Sequence, residues 1–381
     1  MTIKYVCSVL IVFLLLGNGG FMQGDSEAAS NECIHVVNAI QFSNDPDKLL
    51  FRHRCRGVNN PNSWAVYELS SGRAYNFSVL NKATKNAIND FPAYSRDGKL
   101  ITFVAGQDNH RNIFVMNADG SNVRQLTQDY NENPKEIGKD IVTMRLTDTP
   151  SFSPDGKRVI FKRSGVKRQV AKNYHDPMLP ARWDIYEIEI ETGKERRLTN
   201  YEFYLISQPL YLPDGKRFIF SADLLINALP VESGIDRKAR DKYWDKYKEN
   251  TIFIMDGENN SLKPILINGR HSDEPRTVRD GVVMFRSKVN ELDKMPIIGP
   301  FYYDLFVYRE GGIRRLVKAP KIIFHSSISP DNSKVAFAYR DHESSDTEVS
   351  IINLDGTGRR YIDIPWHGLM METVQTGKKK K

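Results

Sequence analysis

The sequence predicts an all-β protein: a six-bladed β-propeller of four-stranded antiparallel blades, preceded by a signal peptide. Three observations lead there. One hairpin is spelled repeatedly: "SFSPDGKRVIF" (151–161) returns as "AYSRDGKLITF" (93–103), "LYLPDGKRFIF" (210–220) and "SISPDNSKVAF" (327–337). The strand that follows each turn, such as Val159, Ile160 and Phe161, is apolar on both faces, as in a sheet covered on both sides. The whole unit recurs six times with a period of about 40 to 65 residues, and four-stranded units of that kind close into a ring that leaves only short outer edges.

The elements follow in order. Residues 1–30 read as a signal peptide and arm: Lys4 precedes the apolar run "VCSVLIVFLLLG" (6–17), and small residues come after it. The run is short for a membrane span, so cleavage between residues 19 and 30 is expected, with a retained anchor as the competing reading. No other segment is long and apolar enough to span a bilayer. Cys33 and Cys55 remain after cleavage. In an oxidising compartment they are candidates for a disulfide between the arm and the first repeat; two buried thiols are the other reading.

The propeller occupies residues 34–365. A worn first copy reads "IQFSNDPDKLLF" (40–51) and "WAVYELSSG" (64–72), and the second runs whole over 90–127. The third covers 149–199, the fourth 208–268, the fifth 274–318 and the sixth 325–363. Each has a Pro-containing start, a short strand, a Ser-Pro-Asp-Gly-like turn and a strand ending in Phe. A variable loop, a third strand, an Asn/Asp/Gly turn and a short strand ending Leu-Thr complete it. In Ser153-Pro154-Asp155-Gly156 the proline pre-sets φ and the glycine supplies the left-handed residue that a tight hairpin needs. Residues 366–381 form a basic C-terminal tail ending in four lysines, read as a solvated run.

Composition narrows the classes. With 381 residues, 40% hydrophobic and 10% aromatic, a packed core is available and global disorder is excluded. The formal charge of +7 is modest and the basic residues are not gathered into a nucleic-acid module, so nucleic acid is not an expected partner.

The motifs "SFSPDGKRVIF", "YLPDGKRFIF", "NIFVMNADGSNVRQLT" and "DIYEIEIETGKERRLT" resemble the β-propeller repeat of the periplasmic translocation protein TolB and its relatives. The WD-repeat subtype fits less well, because Trp183-Asp184 opens a strand instead of closing one. TolB carries a further α/β domain before its propeller, whereas only a short arm precedes the first blade here. The same repeat occurs in prolyl-oligopeptidase-type peptidases, whose G-x-S-x-G elbow is absent from this sequence. It also resembles the oligogalacturonide lyase propeller, whose metal is held by several histidines and a glutamine. The resemblance implies the fold, a periplasmic or secreted location, and an envelope or extracellular protein, peptide or glycan as partner.

Function is sought where the repeats stop agreeing. Long loops, at 163–182, 223–250 and 287–302, join second to third strands, and the link 128–148 is also long. All belong to the face opposite the Ser-Pro-Asp-Gly turns. They bring Tyr174, Trp183, Tyr243, Trp244, Tyr247, Phe301 and Tyr302 among lysines and arginines. This mixture suits an anionic glycan, a peptide or a protein edge; the alternative is that the aromatics pack the loops onto the disc. A second group lies at the start of the first strands, where side chains approach the mouth of the central channel: Asp90, Asp148, Gln208, Glu274 and His325, with His271 nearby. Such groups can hold a divalent cation, a sugar or a peptide terminus, or can serve only to satisfy inner-strand backbone. His271 and His325 are the metal-ligand candidates, short of the two or three close ligands that a transition metal wants. No cofactor is predicted, no carboxylate pair has the spacing of a general acid and base, and no catalytic residue is assigned. The sequence therefore reads as an exported, monomeric binding or scaffold propeller. A metal-assisted lyase or hydrolase acting on an acidic polysaccharide at the channel mouth is the alternative.

Overall fold

A computed structural model gives the architecture. It describes residues 33–56, 63–83, 90–107, 110–129, 141–169, 182–201, 203, 206–223, 250–259, 261–265, 272–277, 281–288, 303–309, 312–318, 322–340, 346–366 and 369. The predicted signal segment, nearly all of the tail, His271, Tyr174, Tyr243, Trp244, Tyr247, Phe301 and Tyr302 lie outside these.

Six sheets of four antiparallel strands each are built from consecutive stretches of chain. Blade 1 holds β1 (Ile34–Phe42), β2 (Lys48–Arg56), β3 (Ser63–Glu68) and β4 (Ala74–Asn76); a short helix, α1 (Ser78–Ala83), follows. Blade 2 holds β5 (Asp90–Tyr94), β6 (Leu100–Gln107), β7 (His110–Asn117) and β8 (Arg124–Gln125). Blade 3 holds β9 (Ile141–Phe152), β10 (Arg158–Gln169), β11 (Arg182–Glu189) and β12 (Glu195–Arg197). Blade 4 holds β13 (Leu210–Tyr211), β14 (Arg217–Asp223), β15 (Asn250–Asp256) and β16 (Leu262–Ile265). Blade 5 holds β17 (Ser272–Thr277), β18 (Val283–Lys288), β19 (Tyr303–Arg309) and β20 (Gly312–Val317). Blade 6 holds β21 (Ile322–Ile328), β22 (Lys334–Arg340), β23 (Glu348–Asn353) and β24 (Arg360–Ile362). The strand order within each sheet is the chain order, so no strand is exchanged between blades.

The hydrophobic core is divided as a ring requires, one apolar cluster between each pair of neighbours. Leu50 and Trp64 of blade 1 meet Phe103 of blade 2. Val104 of blade 2 meets Phe161 of blade 3, and Ile160 of blade 3 meets Phe220 of blade 4. Ile219 of blade 4 meets Phe285 of blade 5, Met284 of blade 5 meets Phe337 of blade 6, and Ala338 of blade 6 meets Phe51 of blade 1. Adjacent strand residues point to opposite faces, so Ile160 and Phe161 serve two different interfaces. This accounts for the doubly apolar strands.

The repeated turn is a hydrogen-bonded unit. Ser153 O accepts from Gly156 N–H at 2.9 Å, and Gly156 takes φ +70°. The Ser153 hydroxyl donates to Asp155 Oδ1 at 2.5 Å and accepts from Arg158 N–H at 2.9 Å, while Lys157 N–H donates to the same carboxylate at 3.1 Å. Ser95–Asp97 and Ser329–Asp331 repeat the arrangement. In the exposed Asp97 the Ser95 hydroxyl, then the Lys99 N–H, hold the carboxyl below its ordinary range. The closing Leu-Thr has an equally local cause. Thr199 Oγ1 accepts from Ile185 N–H at 2.9 Å and donates to Asp184 Oδ1 at 2.6 Å, and Thr127 does the same with Ile113 and Asn112.

Five of the six first strands carry a feature that sequence reading had not separated: a bulge in their pairing with the second strand. Register shifts fall between Val37 and Ala39, Asp90 and Ala93, Ile323 and His325, Asp273 and Arg276, and opposite Ile160 and Lys162 in blade 3. Three bulged residues are left-handed, Phe91 (φ 52°), Thr149 (φ 51°) and Glu274 (φ 48°), each between an aspartate and a proline. Asp148 Oδ1 accepts from the Thr149 N–H at 3.0 Å. The Asp-X-Pro stretch is thus backbone construction, a local kink that re-aims the first strand.

Candidate functional site

The mouth-side residues named from the sequence lie inside the first strands or just before them, not uniformly ahead of them, and they occupy two different positions of the bulge. Asp90 and Asp148 hold the residue before it, the place Asp273 takes in blade 5. Gln208 and Glu274 hold the residue preceding the proline. Asp90 pairs in register with Val104; its side chain is outside the described set.

Four of the six named residues meet partners that tie blades together. Glu274 Oε1 lies 3.4 Å from His325 Nδ1 of blade 6 and 3.5 Å from Arg286 Nη2 of its own blade. Glu274 Oε2 is 3.9 Å from Arg276 Nη2. Arg276 Nε donates to Ser326 O of blade 6 at 3.0 Å, and its Nη1 donates to Gln208 Oε1 of blade 4 at 3.4 Å. Gln208 Nε2 in turn donates to Pro150 O of blade 3 at 3.4 Å. A chain of contacts through Arg276 and Gln208 therefore links blades 3, 4, 5 and 6 in succession. On the other side, Asp148 Oδ1 is 3.4 Å from Arg111 Nη2 of blade 2.

A second set of cations was missed. Arg286 donates from Nε and Nη2 to Asp273, and from Nη1 to Ile323 O (3.1 Å) and Phe324 O (2.7 Å) of the next blade, with its guanidinium 4.6 Å from the Tyr303 ring centre. Lys162 does the same in blade 3: Nζ donates to Ile206 O of blade 4 at 3.2 Å and sits 4.9 Å above the Trp183 ring. Both follow directly on the motif phenylalanine, as Arg52 does in blade 1. A cation recurring at that one register was the available signal.

The electrostatics follow from burial and pairing. Burial alone would raise Glu274, but Arg286 foremost and His325 next hold its carboxyl below the ordinary range. Burial alone would lower Arg286, and Asp273 and Glu274 push it up instead. Burial lowers Lys162, with Asp148 acting against it, and lowers Arg52 to about 10, with Arg111 and Arg54 adding like charge. Trp183, the one partner-face aromatic within the described residues, is half-buried against the core between blades 3 and 4. Among the described residues no group of three His, Cys, Asp or Glu stands as a ligand set. Two clefts of about 600 and 620 Å³ open elsewhere, on the turn face, one lined by Arg309, Arg314 and Asn353, the other by Arg158, Tyr211 and Pro213.

Cys33 and Cys55 are joined as a disulfide with Cα atoms 5.3 Å apart, within blade 1. Among the described residues no helix is long and apolar enough to cross a membrane.

The fold is a six-bladed β-propeller whose first strands are tied to neighbouring blades by ion pairs and hydrogen bonds. No family model matches the chain. The Tol-Pal system protein TolB of Francisella tularensis subsp. mediasiatica (strain FSC147) is 26% identical over 221 residues, 56% of this chain and 40% of that protein. The chain thus spans about two fifths of the length of the curated relatives it matches. TolB from Acinetobacter baumannii superposes with a TM-score of 0.52 at 18% identity, covering 86% of this chain and 62% of that one. An oligogalacturonate lyase in complex with manganese gives a TM-score of 0.50 at 14% identity, covering 86% and 77%. The ring is a TolB-like β-propeller.

Proposed function

We propose that the protein is an exported binding scaffold that docks an envelope or extracellular protein, peptide or glycan on the insertion-bearing face. The observation that carries this reading is the set of polar contacts between neighbouring blades that engages the first-strand candidates. Arg276, Gln208 and the carbonyls of Pro150 and Ser326 link blades 3, 4, 5 and 6 in succession, so these polar groups are engaged within the ring. Recognition is then assigned to the insertions expected from the sequence, which leave the second strands β10, β14 and β18 at Gln169, Asp223 and Lys288. The likeness to a protein of the Tol-Pal system supports a binding role, and the N-terminal apolar run supports export to the periplasm or beyond. Deleting residues 238–248 should abolish recovery of a partner from envelope extract; unchanged recovery would count against the reading.

The alternative, metal-assisted cleavage of an acidic polysaccharide, is supported by the linking of Gln208, Glu274 and His325 through Arg276 in one polar cluster. Metal analysis of purified protein, with uronate-polymer cleavage assayed before and after His325→Ala, decides it.

A further inference from the structure

We propose that the seam between blades 1 and 6 is a pH-sensitive latch, in which the buried imidazole of His53 must stay neutral for the C-terminal segment to hold the ring shut. The seam is where the ring must be closed without strand exchange. It is held by His35 N–H donating to Asp346 Oδ1 (2.7 Å), Thr347 N–H to His35 O (2.8 Å), Val37 N–H to Thr347 Oγ1 (3.1 Å) and Phe42 N–H to Ser327 Oγ (2.9 Å). The chain beyond β24 then crosses back to blade 1, where Asn76 Nδ2 donates to Leu369 O at 3.5 Å. On the way Trp366 lies flat on His35, ring centres 4.8 Å apart and planes 7° from parallel, and meets Phe51 and His53, each at 6.0 Å.

His53 is 1% exposed, and neither of its ring nitrogens has a hydrogen-bond partner. An imidazolium there would bury an uncompensated charge. The groups around it do not offset one. In β1 it pairs with Val37 and in β3 with Ser63, and the disulfide neighbour Cys55 cannot titrate. The C-terminal segment offers the Trp366 ring. His35 is the titratable group that acts on His53, by like charge, and Asp346 of blade 6 is engaged with His35. Arg52 and Arg54 alternate to the opposite face of β2.

Burial, with His35 adding to it, lowers His53 from 6.5 to about 4. Burial also lowers His35, with Asp346 opposing. The sign is fixed by linkage. With the closed-state value below the open-state value, the latch is at full strength above about pH 6.5, weakens as pH falls toward 4 and changes little below that. One such proton makes the opening equilibrium rise by up to about tenfold per pH unit across that window.

Hydrogen exchange on the full chain, corrected for intrinsic rates between pH 7.5 and 4.5, tests this. We expect peptides covering β1, β23 and residues 361–369 to lose protection by up to tenfold per pH unit below pH 6, while β10 of blade 3 keeps its protection. His53→Leu should remove most of that slope. Equal loss in the seam and blade 3, or an undiminished slope in His53→Leu, would overturn the proposal. Should His53→Leu fail to fold, an NMR titration of wild-type His53 decides: a midpoint below 5 supports the latch, and one near 6.5 refutes it.

Discussion

Arg286 sits one residue beyond the buried phenylalanine of its hairpin, the place held by Arg52 in blade 1 and Lys162 in blade 3. Its guanidinium meets two carboxylates of its own blade and two carbonyls of the next, so removing it would take from Asp273 and Glu274 the cation that both share. Arg286→Met should destabilise the protein by about 3–5 kcal/mol in urea unfolding, and a loss under about 1 kcal/mol would show that the cluster relaxes around the gap. Arg286→Lys should restore only part of this, since an ammonium cannot make the two-pronged contact with Asp273. The same site fixes an acid limb. Glu274 is held below its usual 4.5, so its contribution is complete above that pH and is lost as pH falls through the depressed folded value. Arg286→Met should flatten the acid limb of a stability–pH profile, whereas an unchanged limb would assign acid sensitivity to other carboxylates.

At the scale of the element, the turn and the bulge make separable claims about backbone. A Cβ on Gly156 would meet nothing within 4 Å, so any cost of Gly156→Ala comes from φ +70° alone. That cost should be about 1–2 kcal/mol by thermal unfolding. Thr149 is the converse case: a buried β-branched residue at φ 51° whose hydroxyl finds no partner. Thr149→Gly should be neutral to stabilising by about 1 kcal/mol, the relief of strain set against chain entropy, and a loss above about 1 kcal/mol would contradict the account. The hairpins were legible in the sequence because each is a local device, its Ser, Asp and Gly acting within six residues of one another. The bulge was less legible. Aspartate and proline were visible, but the left-handed residue between them takes any identity, as Phe91, Thr149 and Glu274 show. That is why Asp148 and Glu274 were grouped as equivalents when Asp273 is the true counterpart of Asp148.

For the whole molecule, six repeats implied a ring, and the six inter-blade clusters supply the reason it closes: each strand's two apolar faces have different neighbours. What periodicity does not carry is contact between units. Arg286 reaching Phe324, Arg276 reaching Gln208, and Trp366 lying on His35 join residues far apart in the chain, and each looks like an ordinary surface residue when read locally. Asp148, Gln208, Glu274 and His325 consequently turn out to be engaged between blades. Trp183 likewise packs against the core between blades 3 and 4, so the proposed contact set rests on the aromatics of the insertions, Tyr174, Tyr243, Trp244, Tyr247, Phe301 and Tyr302. The most direct test compares partner recovery from envelope extract by three proteins: wild type, the 238–248 deletion, and a turn-face variant, Arg309→Glu with Arg314→Glu. The account predicts loss of recovery in the deletion alone. Retention in the deletion with loss in the turn-face variant would place recognition on the opposite side of the disc.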